Sequence, residues 1–322
     1  MTAAYNGCAD VCRALAEAGA DLGVTKKPSG FTALIAAAYN GFHETSKVLV
    51  ECGAAVDVPM ANGWTPLMIA AAKGHPKTVS TLISLGAQPD HARPNNGFTA
   101  LMAAAAAMHE NTASALLRQG ATIDLVDHNG ASALMHAARH GAEGVARTFL
   151  MGGAAIDLAR ANRMNALHDA AAAGHDGVVR LLLEEKAAIN AVTAEGMTPL
   201  MLASREGNEH ALLMLLQRRA KLTPLSLEGL TALGHAKTKE VARRLLQAGA
   251  DKKHLPHHLK GGADTPPPTH GRGDARADEK LKQRNATPPR RPNKAGSTAG
   301  GAGGGGGGGS GARPASPRGA AQ

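Results

Sequence analysis

Small apolar residues recur at helical spacing through most of the chain. In the segment GWTPLMIAAAKGHPKTVSTLISLGA, residues 63 to 87, Leu67, Ala70 and Ala71 fall on one face of a helix. Thr65 can cap the N-terminus of that helix, and the proline after it suits the first turn. The segment is therefore predicted to begin with a short amphipathic helix.

A second helix follows in the same segment. Gly74 ends the first pattern, and Val79, Leu82 and Ile83 then form an apolar face that can pack on the first helix. Gly86 can supply the left-handed residue that ends the second helix. The two helices form a hairpin. Because such a hairpin leaves apolar surface exposed on both sides, it needs neighbours to cover it.

The hairpin pattern recurs with a nearly constant period. The hydroxyl or amide residue before each Pro/Ala-Leu pair recurs in steps of 33 or 34 residues, and the residue that ends each second apolar run repeats in the same way. Two independent markers with one period predict a solenoid of stacked hairpins. The first marker falls at Thr32, Thr65, Thr99, Ser132, Asn165, Thr198 and Thr231, and the second at Gly19, Gly53, Gly86, Gly120, Gly153, Lys186, Arg219 and Gly249.

The signature residues of one unit are Gly63-Trp64-Thr65-Pro66-Leu67, Ala70-Ala71, Gly74-His75 and Gly86-Ala87. They resemble the ankyrin repeat, and the resemblance covers about residues 1 to 253 in eight units. It implies an all-α fold, an ankyrin-repeat solenoid of about eight helical hairpins with a finger loop between units, followed by a disordered tail. It also implies a concave face that binds proteins.

Departures from the repeat divide the chain into four parts. Residues 1–26 form an incomplete N-terminal unit, because AAYNGCAD at residues 3 to 10 aligns with a first helix. Residues 27–225 hold six full ankyrin repeats, residues 226–255 a shortened, basic C-terminal capping repeat, and residues 256–322 the tail. The missing start of the first unit favours a coding sequence that begins upstream over an N-terminal unit that frays.

Three residues replace glycine at turns where the family favours a positive φ. Met108 stands where other units have the glycine after the first helix, and Lys186 and Arg219 replace the closing glycine of two units. Side chains with a Cβ adopt positive φ reluctantly. We therefore expect local strain or a reshaped turn at Met108.

The net charge of +9 belongs mainly to the tail. Residues 1–255 carry 24 Lys and Arg against 22 Asp and Glu, whereas residues 256–322 carry 11 against 4. The tail also has 16 Gly and 9 Pro, a composition that cannot bury enough surface to offset chain entropy. It is predicted to be disordered, and it can contact nucleic acid weakly and non-specifically.

Cysteine usage and hydropathy exclude other classes of protein. The three cysteines form no C-x-x-C pair, which argues against a disulfide framework or a zinc site. No apolar run reaches 18 residues and no signal peptide is recognisable, so we expect no membrane partner. The predicted location is the cytoplasm, with the nucleus as an alternative, and the predicted state is a monomer.

No catalytic signature is present. The 15 histidines invite a metal or acid-base interpretation, with His168-Asp169 and His175-Asp176 the most tempting cluster. The family pattern accounts for them instead: the resemblance places His136 and His168 at its Leu-His position, and His75, His109 and His175 at its Gly-His position, where the ring ties backbone between units. We therefore predict no enzymatic activity, no cofactor and no metal.

The predicted partner surface is the concave face. Residues directly before the capping positions are mostly large and apolar, and aromatic anchors dominate interface energetics. The competing interpretation, weighted equally, is that these residues only pack finger against finger. The predicted partner-binding residues are Phe31, Tyr39, Trp64, Lys73, Phe98, Arg139, His140, Met164, Met197 and Arg205.

Two fingers are longer than the rest. Those before Phe31 and Phe98 have one extra residue and contain proline, in KKPSG and ARPNNG, and they flank Trp64. The sequence therefore favours the functional interpretation and a shallow pocket at Trp64.

Short motifs add candidate modification sites. Asn190 resembles the asparagine that is hydroxylated in some ankyrin repeats, although a loop-stabilising role is the simpler interpretation. In the tail, Thr287 and more weakly Ser316 resemble proline-directed kinase sites, and PRRPNK at residues 289 to 294 resembles an SH3 ligand.

Two classes of function follow from these observations. The first is a non-enzymatic protein-protein interaction scaffold or adaptor that grips a partner on its concave face. The second is the targeting module of a larger protein, an enzyme or a channel, with nucleic-acid binding through the basic tail as a weaker third hypothesis.

Overall fold

The computed structural model describes residues 1–260, and in this part of the chain the regular structure is helical. Helices come in antiparallel pairs of a short first helix and a longer second helix. The α-helices are α1 Thr2–Tyr5, α2 Ala9–Glu17, α3 Ala33–Tyr39, α4 His43–Glu51, α5 Pro66–Ala72, α6 Pro76–Ser84, α7 Ala100–Ala106, α8 Glu110–Arg118, α9 Ala133–His140, α10 Glu143–Met151, α11 Ala166–Ala173, α12 Asp176–Glu184, α13 Pro199–Glu206, α14 Glu209–Gln217, α15 Lys239–Gln247 and α16 His257–Lys260, with a 3₁₀ helix at Lys252–His254.

Side-chain caps fix where the first helices begin. The predicted capping residue accepts a hydrogen bond from the backbone N–H three residues later in six successive units, as Thr65 Oγ1 does from Met68 N at 3.3 Å. Such a cap contributes about 1 kcal/mol to the stability of its helix. The sequence prediction is confirmed at Thr32, Thr65, Thr99, Ser132, Asn165 and Thr198.

The core is a continuous stack rather than a single centre. First helices pack on first helices from α1 to α13, and second helices pack on second helices from α2 to α15. Alanines such as Ala70, Ala104 and Ala137 are fully buried between successive first helices, where their small side chains allow close approach. A ladder of buried leucines, one per unit, runs through the stack: Leu34, Leu67, Leu101, Leu134, Leu167, Leu200 and Leu233.

A carboxylate at the base of four successive fingers joins consecutive units. The fourth residue after the closing position accepts the backbone N–H of the next unit, as Asp157 Oδ1 does from Ala188 N at 3.0 Å. Asp57, Asp90 and Asp124 do the same. Asn190 continues the series by accepting from Lys221 N at 2.8 Å, which is the loop-stabilising role that was the simpler interpretation.

The substituted turn positions adopt the backbone that the repeat requires. Met108, Lys186 and Arg219 have φ of 62°, 65° and 62°, so the expected strained turn at Met108 is confirmed. Arg163 also has positive φ, at 64°, in a finger where neighbouring units place glycine.

Side chains tie each first helix to the next unit. His75, His109 and His175 each donate a ring N–H to a carbonyl oxygen in the last turn of the preceding unit's first helix, at 3.0 to 3.1 Å, as the family position implies. The ring covers the glycine of that turn, and a Cβ on Gly41 would lie 2.6 Å from His75 Nδ1. Beside Met108 the corresponding residue of the next unit is Ala142, which is too small to collide with its side chain.

The last unit differs from the others in its first half. Residues 232 to 235 form turns in place of a first helix, and α15 closes the stack with Val241 and Leu245 buried. Packed structure continues past residue 255, because the partly buried Leu259 of α16 contacts the core. Within residues 1–260, no helix has the length and apolar character needed to span a membrane.

Candidate binding surface

The finger loops and the first helices together form one side of the stack, here called the finger surface. Four rings from three successive units lie in a row on it. Trp64 and Phe98 have ring centroids 6.2 Å apart, Phe98 meets His136 edge-on at 5.1 Å, and His136 lies 6.4 Å from His140. Because the predicted residues Trp64 and Phe98 are half-buried, each offers part of a ring to solvent while the remainder packs on the core.

Cationic groups from the following unit cover two of the aromatic rings. Lys73 Nζ lies 4.4 Å from the ring centroid of Tyr39, and the Arg93 guanidinium lies 5.2 Å from that of Trp64. Arg93 is held in this position because its Nε and Nη2 donate to the carbonyl oxygen of Asn62, at 3.2 and 2.8 Å. Such contacts fix cation and ring together.

Two polar pairs are built into neighbouring units. Asp169 accepts two hydrogen bonds from Arg160, at 3.1 and 2.6 Å, with both side chains nearly buried. One unit earlier, Asp127 Oδ2 lies 3.0 Å from His136 Nε2. In both pairs a finger residue meets a first-helix residue nine positions later, a spacing that could have revealed them in the sequence. Asp127, Arg160 and the pairing of Asp169 were not among the residues predicted from the sequence.

His136 contacts Asp127 in a largely buried setting, with its side chain 14% exposed. Burial lowers its pKa below the ordinary 6.5, although Asp127 acts in the opposite direction. It lies one residue beyond the Leu-His position, so its assignment to that position was wrong, because the residue in register with His168 is Met135. His168 does cap its helix, and burial lowers its pKa too.

A groove of about 680 Å³ lies between the two polar pairs. The predicted residues Arg139 and Met164 border it, with Asn129 and Asn162. The groove is open to solvent, and Arg139 is exposed. Within residues 1–260 no cluster of three or more His, Cys, Asp or Glu side chains could hold a metal ion.

Comparison with protein families gives the surface its context. The family model described as ankyrin repeats (3 copies) matches residues 1–93, 86–160, 144–224 and 167–256. The chain belongs to the ankyrin-repeat family. None of the curated proteins compared with the chain matches it significantly. Ankyrin repeats are generally protein-protein interaction modules and are typically not catalytic.

At the start of the ankyrin array, Phe31 lies in a different place from the ring row. It borders a groove of about 590 Å³ with Tyr5, Lys27 and Pro28, residues of the first helix and the first long finger. The second long finger instead places Arg93 over Trp64. The first long finger of the ankyrin array therefore borders the groove at Phe31, and the second borders the ring row. Trp64, which was predicted to lie at a shallow pocket, is partly covered by Arg93.

Two predicted contact residues of the ankyrin array differ from the others. Met197 is only 3% exposed, because Thr193 and His168 hydrogen-bond its backbone and hold the finger against α11. It cannot present its side chain to a partner, and we remove it from the surface. Arg205 is exposed but its Nε lies 3.2 Å from Glu206 Oε1, so its charge is already paired.

The remaining candidates concern the tail. Thr287, Ser316 and the segment 289–294 lie outside the described residues of the ankyrin-repeat protein. Kinase, SH3 and nucleic-acid contacts with the tail therefore stay predictions.

Proposed function

We propose that the protein is a non-enzymatic scaffold or adaptor that binds a partner protein on the concave face of its ankyrin array, the face that corresponds to the finger surface. The observation that supports this proposal is the ring row. Trp64, Phe98, His136 and His140, from three successive units, have ring centroids 5.1 to 6.4 Å apart along the row. Aromatic side chains in such a row offer large, rigid contact area at low entropic cost.

Packing within the fold explains why the rings are partly buried, and the part of each ring that stays exposed supports contact with a partner. If these rings only packed finger against finger, they would be buried as Ala131 and Met197 are. Phe31, Trp64, Phe98 and Met164 instead stay half-buried, and Tyr39 is exposed. Tyr39, Lys73, Arg139 and His140 extend the surface on both sides of Trp64 and Phe98, so we include them in the proposed interface.

The test is capture of partners by the full chain from an extract of its source organism. We expect the Trp64→Ala/Phe98→Ala variant to lose captured proteins, since burying each ring contributes about 2 kcal/mol to binding. Met151→Ala is the matched control, because Met151 is 83% exposed at the end of a second helix, away from the rings. Equal capture by the ring variant and the control would refute the proposal.

A further inference from the structure

We propose that the segment bound on the finger surface is an acidic peptide that carries apolar side chains among its carboxylates. This inference rests on the proposed function and adds the chemical class of the partner. It follows from the charges that surround the ring row. Within residues 1–260, Lys73, Arg93 and Arg139 have no carboxylate partner within salt-bridge distance.

Carboxylates of the same surface are already engaged by the protein. Asp169 is paired with Arg160, and Asp127 accepts hydrogen bonds from the backbone N–H groups of Asn129 and Ala131 and contacts His136. The aspartates at the finger bases, exemplified by Asp124, accept backbone N–H groups of the next unit. Around the ring row the three cations therefore lack carboxylate partners, whereas the neighbouring carboxylates already accept hydrogen bonds, and this difference favours a negatively charged ligand at the cations.

The cations are also positioned before any ligand arrives. Lys73 lies over Tyr39, and Arg93 is fixed between the Trp64 ring and the carbonyl of Asn62. Their side-chain freedom is therefore already reduced, which lowers the entropic cost of receiving a carboxylate. A partner residue that places a carboxylate on Arg93 brings its neighbours onto Trp64 and Phe98, where an apolar side chain can be covered.

The arrangement favours a peptide over a nucleic acid. Single-stranded nucleic acids bind by stacking bases on open aromatic faces. Here the cations of Lys73 and Arg93 already cover one face each of Tyr39 and Trp64. The predicted basic tail is an unsuitable occupant, because its 11 Lys and Arg against 4 Asp and Glu would be repelled by the same cations.

The probe for this proposal is a random copolymer of glutamate and tyrosine, which presents carboxylates beside rings at many spacings. Its control is the corresponding copolymer of glutamine and tyrosine. The chain has a single tryptophan, Trp64, so tryptophan fluorescence, excited where tyrosine does not absorb, reports on this surface and not on the tail. We expect the acidic copolymer to perturb Trp64 and to bind at least about tenfold tighter than the neutral one.

Two variants with the same change in charge locate the binding site. Lys73→Gln/Arg139→Gln removes two exposed cations beside the ring row, and Lys77→Gln/Arg118→Gln removes one lysine and one arginine exposed on second helices. The first variant should bind the acidic copolymer about tenfold more weakly than the second. Both variants should unfold at the same urea concentration as the parent, which shows that folding is intact.

Three results would overturn the inference: no response of Trp64 to the acidic copolymer, equal affinities of the two charge variants, or tighter binding of single-stranded DNA at the same site. Each is distinguishable from failure of the proposed function. If the Trp64→Ala/Phe98→Ala variant still loses its captured partner, the surface binds a protein and only the acidic class is wrong.

Discussion

The two sides of the helical stack treat charge in opposite ways. On the second-helix side, ion pairs join consecutive units: Arg180 with Glu143 at 3.5 Å, and Arg244 with Glu209 at 2.9 Å. On the finger surface, cations near the rings have aromatic or backbone partners instead. Ion pairs between second helices can therefore stabilise junctions between units, although Lys77 and Arg118 on that side have no such partner within residues 1–260. The cations beside the rings differ because aromatic rings or backbone carbonyls hold them in place.

The largest difference between the two sides should appear when one carboxylate is neutralised on each. Asp169→Asn leaves Arg160 without a counter-charge in a nearly buried site and should lower the free energy of unfolding by about 3 kcal/mol. Glu143→Gln removes a pair partner of Arg147 and Arg180 on the exposed side and should cost less than about 1 kcal/mol. Urea denaturation of both variants measures the difference. Similar losses would contradict a distinct role for the buried pair.

A second prediction compares the junction at Met108 with its neighbours. Ala142→His should lower the free energy of unfolding by about 2 kcal/mol, because at Gly41 and Gly74 a Cβ would meet the corresponding ring at 2.6 to 2.7 Å. In a Met108→Gly background the same change should be tolerated, since the ring then covers a glycine. A double-mutant cycle by urea denaturation measures this coupling. An equal loss in both backgrounds would contradict it.

The smallest expected effect is a pH dependence that belongs to the finger surface. Because burial lowers the pKa of His136 below 6.5, the unfolded chain binds this proton more tightly than the folded protein. The contribution of neutral His136 to the free energy of unfolding is therefore complete above about pH 6.5 and is lost as pH falls through its lowered pKa. His136→Gln should reduce the decline in unfolding free energy on acidification.

Local signals predicted most of the fold. Capping threonines, the alanine and leucine faces and the closing glycines each act within one unit, so each can be recognised from a few neighbouring residues. Even the strained turn at Met108 was predictable, because its position in the period demands a positive φ. The same argument, applied to the finger tips, would have identified Arg163.

The binding surface was harder to predict, because its features depend on pairs of side chains from different elements. Trp64 and Phe98 were identified, but their contact with Arg93 depends on the path of a long finger. The Arg160 and Asp169 pair crosses from a finger to a helix. Met197 was predicted to be a contact because its position is apolar in most units, yet hydrogen bonds particular to that finger bury it.

The natural alanine at position 142, where three other units have histidine, also has a mechanical consequence. The carbonyl groups of Tyr39, Ala72 and Arg139 each accept a side-chain hydrogen bond from the following unit, whereas that of Ala106 accepts none within residues 1–260. In a solenoid each unit contacts only its neighbours, so a junction that lacks one of these hydrogen bonds resists separation less than a junction that has it. When the array is pulled from its ends, the units that hold Met108 and Ala142 should separate first. The rings of Trp64 and Phe98 would then move away from the groove at Arg160.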